Sequence, residues 1–472
     1  MIYIPKRVVG RRALLAGAAG SMAALAVRVP VHAQPAPPAA LPAPGGPPPA
    51  QGNAASAVID VNRARVAPIP IAIPDFAGPD GDSAQIGRNI AAVITNDLGN
   101  CGLFQALAPA SFAQQNLAPS ETPNFQNWSA IGARALVSGG ASVQGGNIRV
   151  EFRLWDVLPQ AQIQGTAYTT SQSNWRRIAH IIADVIYERL LGEKGYFDTR
   201  VAYVSATGPR DRRTKRLAIM DQDSENNRFL TDGSWLVLTP RFRPTGDEIA
   251  YMSYANNRPR VYLFNLGSGH QTVLGDFSGM TFAPRFSPDG STVIMSVTRD
   301  LGSEIVSVEL GSHSVRRLTD SSSINVSPCF SPDGSQVVFA SDRDGDQQIY
   351  VMNADGSGVK RVSFGHARYG EPVWSPRGDL VAFTRYAGDQ SNFAIGVMQP
   401  DGMGERTLSE GWLVEGSTFC PNGRVIMFWK ETPGSRGAVS SQLMSVDITG
   451  FNERIVTTPT AASDPAWSPL GA

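Results

Sequence analysis

At 472 residues, with 47 Gly, 34 Pro and 17% charged side chains, the chain is too long for one ordinary core and reads as two or more turn-rich folded domains; neither a coiled coil nor a wholly disordered chain fits. Five of the 41 basic residues and none of the 41 acids fall in residues 1–33, which leaves 36 bases against 41 acids in the remainder. That net charge of −5, without any aromatic-interleaved basic patch, gives no electrostatic reason to expect nucleic-acid binding.

Residues 1–33 read as an export signal. Lys6, Arg7, Arg11 and Arg12 precede a short apolar run, Ala13 to Val27, and Val31-His32-Ala33 offers small residues at the two positions a signal peptidase reads. Arg11-Arg12 also suits a twin-arginine signal, so the general and the twin-arginine routes both stay open. No other stretch approaches 18 apolar residues, and no direct membrane span is expected. Residues 34–56 are nearly all Pro, Ala and Gly, lack an apolar face to bury, and read as a flexible tether.

Residues 57–198 read as a small α/β domain. Pro70 to Pro74 suits a buried strand, and a helix follows with Ile86, Ile90, Val93, Ile94 and Leu98 on one face and Ser83 as its cap. Ala135 to Gly139, a Gly145-Gly146 turn and the alternating run Ile148 to Leu154 predict a hairpin. A second helix is expected from Trp175 to Leu191, ending at Gly192. No Gly-rich phosphate loop joins strand to helix.

From residue 199 to 472 the sequence repeats. PRFRPTG (240–246), PRFSPDG (284–290), PCFSPDG (328–334), PVWSPRG (372–378), STFCPNG (417–423) and PAWSPLG (465–471) share one pattern, their closing glycines 44, 44, 44, 45 and 48 residues apart. That period predicts four-stranded propeller blades. The third-position aromatic should pack between blades, and Pro followed by Gly should close a tight turn. The sixth motif has no strands after it, whereas Arg200 to Ser205, Arg216 to Met220 and Arg228 to Thr231 stand before the first. The last strand should therefore complete a blade with that triplet, giving a six-bladed β-propeller closed by its C-terminal strand.

Chemistry is sparse. There is no G-x-S-x-G elbow, no H-E-x-x-H pair and no Walker loop, so no catalytic site, cofactor or metal is expected. Asp342 to Asp346 reads as a hairpin turn in preference to a calcium loop. Cys101, Cys329 and Cys420 are expected to be free, buried thiols. Attention falls on the loops entering the inner strands at one channel mouth, where Trp235, Met280, Phe282, Tyr369 and Trp412 mix with Asn325, Glu371, Glu415 and Asp464. Aromatic anchors among polar groups make a binding rim.

In the order export signal, VIDVNRARVAPIPIAIPDF, a small α/β domain, GYFDTRVAYVS, RLAIMDQD, NRFLTDG and then the repeats, residues 57–472 resemble the TolB family. The resemblance implies a periplasmic, non-enzymatic adaptor of the Tol-Pal system that supports outer-membrane integrity and cell division, with two protein partners. A Pal-like outer-membrane lipoprotein would bind the propeller mouth, at Met280, Thr281, Phe282, Ala283, Asn325 and Val326, with Tyr369, Glu371 and Glu415 added from the rim. A TolA-like inner-membrane protein would bind the N-terminal segment Ala57, Val58, Ile59, Asp60, Val61 and Asn62. Met280 and Phe282 stand where better-known members have polar residues, and the Pro-rich stretch is outside the usual pattern. A monomer is expected. The alternatives are a propeller hydrolase or lyase, which would need a nucleophile elbow or converging His and basic residues, and a cell-wall-binding propeller.

Overall fold

The computed structural model describes residues 67–209, 212–299, 302–320, 322–386, 392–435 and 438–471. The export signal, the tether and the segment Ala57 to Asn62 lie outside the described residues. The first strand, β1 (Ile69–Ala72), pairs in parallel with both β2 (Phe104–Ala106) and β3 (Ala135–Gln144). Antiparallel hairpins then add β4 (Asn147–Asp156) and β5 (Ala161–Ser171), for the order β2-β1-β3-β4-β5. The alternation in β4 is real: Ile148, Val150, Phe152 and Leu154 are fully buried, and Asn147 and Arg149 face solvent. Neither β2 nor β5 is expected from the sequence. The first is only three residues long, and the second is largely polar and buries no residue completely.

Helices α1 (Gly81–Asn100), α2 (Phe125–Ala130) and α3 (Trp175–Leu191) complete this domain. Its long helices bury Ile90, Val93, Ile94 and Leu98 from α1 and Ile178, Ile182 and Ile186 from α3 in one core with β4. The cap of α1 is Asp80 and not Ser83: the Asp80 carboxylate accepts the Ser83 N–H at 2.8 Å, and this bond holds its pKa below the ordinary value. Ser83 is buried inside the first turn, where its hydroxyl accepts the Val143 N–H instead. Gly192 ends α3 with φ 74° as the sequence indicates.

The rest of the described chain is the six-bladed propeller. Six sheets of four strands follow one another, with inner strands Val237–Phe242, Thr281–Phe286, Asn325–Phe330, Arg368–Trp374, Leu413–Phe419 and Ala461–Trp467. The last of these pairs antiparallel with Arg200–Thr207, Ala461 opposite Ala206 and Trp467 opposite Val201. The ring is closed as the strand count requires. The repeated glycines 246, 290, 334, 378, 423 and 471 all take φ between 71° and 80°, as the turns demand. In the two Ser-Pro-Asp-Gly turns the Asp accepts from the flanking serines, which pulls Asp289 and Asp333 down to about 2. The motif aromatics sit between blades: Phe286 packs with Ala250 and Val261 of the preceding blade.

Asp342 to Gly345 is a turn, the Gly345 N–H donating to the Asp342 carbonyl at 2.9 Å. All three cysteines are free and buried; Cys420 lies just past its inner strand, and burial pushes the Cys101 and Cys420 thiols up to about 12. Among the described residues no helix is long and apolar enough to cross a membrane.

Candidate partner-binding mouth and domain junction

Every inner strand runs from an entry loop to a glycine turn, so the six entry loops share one mouth and the turns surround the other end. The α/β domain is docked at the turn end. Asn422 Nδ2 donates to the Lys194 carbonyl at 2.8 Å, the Gly471 N–H to the Asp198 carbonyl at 3.0 Å, and Asn452 Nδ2 to the Asn100 carbonyl at 2.8 Å. The mouth is left at the far end.

The residues singled out at the mouth divide into two groups. Thr281, Asn325, Tyr369 and Glu415 are buried, and three of them are tied into the scaffold. Thr281 Oγ1 accepts the Val261 N–H at 2.9 Å. Asn325 Nδ2 donates to the carbonyls of Ser303 and Ser323 at 3.0 and 3.1 Å, and its Oδ1 accepts from Arg343 at 2.8 Å. The Tyr369 hydroxyl donates to Glu405 at 3.0 Å. Met280, Phe282, Ala283, Val326 and Glu371 are half-buried and keep surface at the rim. Trp235 is exposed, and so is Phe364, which at 63% exposure is the barest aromatic ring of the entry loops. Phe364 is three residues beyond a short outer strand, Lys360–Arg361, and its exposure has no signal in the repeat pattern.

One feature of the inner strands escapes sequence reasoning altogether. In each blade the pairing slips at the same place, for example between Phe282 and Arg285 and between Val326 and Cys329. The residue at the slip has left-handed backbone in all six: Thr239 (49°), Ala283 (51°), Ser327 (54°), Glu371 (50°), Gly416 (72°) and Asp464 (53°). Five of these are not glycine and precede proline, a context that favours extended backbone. Each such conformation costs about 1–3 kcal/mol and persists only where its surroundings dictate it. The surroundings here are the neighbouring blades: Glu371 Oε2 accepts the Gly416 N–H at 2.8 Å, and Arg241 donates to the Pro465 carbonyl at 3.4 Å. The bulges therefore knit the channel wall from blade to blade.

The junction between the two domains carries a second concentration of charge. Glu193, just past α3, accepts from Arg377 at 2.7 Å and from Arg424 at 2.9 and 3.0 Å. Against the effect of its burial, these two arginines hold its pKa below the ordinary carboxylate value. Deeper in, Asp97 of α1, His180 of α3 and Asp223 of the propeller bring their ligating atoms within 4.8 Å of one another. His180 Nδ1 lies 2.6 Å from Asp97 Oδ2, and Asp223 is hydrogen-bonded to Arg176. Because Asp97 is engaged at Nδ1 and Arg176 already neutralises Asp223, the arrangement is that of an ion-pair network and not of a metal centre. Its members come from three distant segments, so spacing in the sequence could not reveal it.

Known proteins agree with this architecture part by part. The TolB amino-terminal domain family matches residues 57–163, and the TolB beta propeller domain family matches residues 187–471. The chain belongs to the TolB family. It is 55% identical over 426 residues to the Tol-Pal system protein TolB of Gluconobacter oxydans, covering 89% of this chain and 91% of that one. To the Tol-Pal system protein TolB of Paramagnetospirillum magneticum it is 59% identical over 420 residues, covering 88% and 93%. The crystal structure of TolB from Acinetobacter baumannii superposes with a TM-score of 0.75 at 26% identity, covering 86% of this chain and 98% of that one. The TolB family match thus extends over both domains and takes in the undescribed segment Ala57 to Asn62.

Proposed function

We propose that this chain is a non-enzymatic periplasmic adaptor that holds two envelope proteins of the Tol-Pal system at once. A Pal-like lipoprotein takes the propeller mouth, and a TolA-like protein takes the segment Ala57 to Asn62. Membership of the TolB family over both domains is the observation that carries this reading. The mouth supports it: half-buried Met280, Phe282, Val326 and Glu371 come from the entries of three successive inner strands, at the end of the channel away from the docked α/β domain. The contact surface is Met280, Phe282, Ala283, Val326 and Glu371, extended by exposed Trp235 and Phe364. Thr281, Asn325, Tyr369 and Glu415 support those residues from beneath.

A pull-down from detergent-solubilised envelope with the mature chain tests both halves. Phe282→Asp puts a charge into the apolar rim and should weaken recovery of the lipoprotein at least about tenfold, with the circular dichroism spectrum unchanged. Equal recovery by Phe282→Asp and the unaltered chain would overturn the mouth assignment. Deleting residues 34–65 should abolish recovery of the inner-membrane partner and leave the lipoprotein; retention of both overturns the N-terminal assignment.

A further inference from the structure

The buried network at the domain junction leaves one ring nitrogen without a partner. His180 is on α3 with its side chain 4% exposed, between Asp97 of α1 (0%) and Asp223 of the propeller (2%). Nδ1 is bonded to Asp97, but Nε2 has no partner and faces Asp223 Oδ2 across 3.8 Å. An orphaned ring nitrogen this deeply buried is costly unless something occupies the gap.

The charges facing it explain what belongs there. From α1 comes Asp97, its other oxygen held by Gln222 at 2.7 Å. From the propeller come Asp223 and, behind it, Asp221, the latter 3.8 Å from Arg176. From α3 itself come Arg176, and one turn on Asp184, which accepts the N–H groups of Phe197 and Asp198 at 2.7 and 2.9 Å. Among the described residues, carboxylates thus outnumber the permanent cations Arg176 and Arg200, the second of which acts on Asp221. A neutral imidazole leaves buried negative charge uncompensated, and a proton on Nε2 supplies both the missing charge and the missing donor.

We propose that His180 is a protonation-controlled latch between the two domains: doubly protonated, it bridges Asp97 of the α/β domain to Asp223 of the propeller, and docking loosens as it loses that proton. Burial by itself lowers the pKa of this imidazole, yet its bond to Asp97 and the charges of Asp97, Asp223 and Asp221 raise it on balance. Burial also raises Asp97 and Asp221, and takes Asp184 to about 7. Because ionised Asp97, Asp223 and Asp221 are what raise His180, proton binding at the histidine and at these carboxylates is coupled. The histidine's share is fully present below its ordinary pKa and is lost as pH rises through the raised one. Each unit of separation between the docked and open pKa changes the docking equilibrium about tenfold.

Two measurements on the mature chain test this. Nitrogen-15 imidazole spectra, with His180 assigned by its loss in His180→Asn, should show it titrating above the ordinary imidazole range. A His180 that stays neutral from pH 5 to 9 overturns the proposal. Spin labels on cysteines placed at exposed Gln85 and Val315, with the native thiols buried, report the distance between the domains. The distribution should broaden between pH 5.5 and 8.5, and Asp223→Asn should diminish that pH dependence by removing the acid that faces Nε2. A variant that follows the unaltered profile overturns the latch, and so does a distribution narrowed at pH 8.5 by Zn(II) or Mn(II) and restored by EDTA.

Discussion

At the residue scale, position in an inner strand decides whether a mouth residue keeps surface at the rim or is buried in the scaffold. Asn325 looks like a polar specificity group in a rim loop, but the inner strand already begins at Asn325. Its amide is consequently turned inward, where it links the carbonyls of Ser303 and Ser323 to the Arg343 guanidinium. Asn325→Ala would leave those buried groups unpaired. The substitution should lower the stability of the chain by about 2–3 kcal/mol, measurable as a fall in the urea midpoint. Phe282, next to the bulge residue Ala283 of its own strand, keeps apolar surface at the rim, and for it the binding test is the informative one. Type and spacing flag both residues equally; only burial separates them.

At the element scale, the closing strand Ala461–Trp467 ties residues more than 250 positions apart. Trp467 is the motif aromatic of that strand, 8% exposed, and its ring meets Tyr196 edge-on at 5.7 Å. Its indole N–H donates to Thr199 Oγ1 at 2.8 Å. Ring closure and domain docking therefore share one side chain. Trp467→Ala should cost about 3–5 kcal/mol and should destabilise both domains together, read as one cooperative shift by fluorescence and far-UV circular dichroism. Two separate transitions, with only the propeller affected, would contradict that coupling. The blade strands and this closure were legible because the repeat carries turn chemistry at a fixed period. Strands β2 and β5 were not, because one is too short for a period and the other is held by hairpin pairing with β4 and not by an apolar face.

At the scale of the whole molecule, a single apolar core runs from Ile90 and Ile182 of the α/β domain through Tyr187, Tyr196 and Phe197 to Met427 and Trp467 of the propeller. Glu193 sits at the edge of this junction and joins the segment after α3 to two separate blades through Arg377 and Arg424. Its side chain is 31% exposed, so solvent screens part of the interaction. Glu193→Gln should weaken docking by about 1–2 kcal/mol, seen as a lower urea midpoint and as faster proteolysis in the stretch 192–199. Unlike the loss of Asp223, this loss should leave the pH dependence of the distance between the domains intact, because Glu193 does not contact His180. Near the mouth, none of these changes should alter partner recovery except through the amount of folded protein.

Local chemistry determined the blade count, the direction of ring closure, the two long helices and the position of the mouth, because each rests on periodicity or on turn residues whose preferences act within a few positions. The proposed partners rest on membership of the TolB family and not on local chemistry. Tertiary structure alone decided which rim residues are buried, that the pre-proline residues of the inner strands take left-handed backbone, and that His180 meets two acids. Those outcomes depend on groups brought together from distant segments, where packing between blades and between domains outweighs the local preference of any one residue.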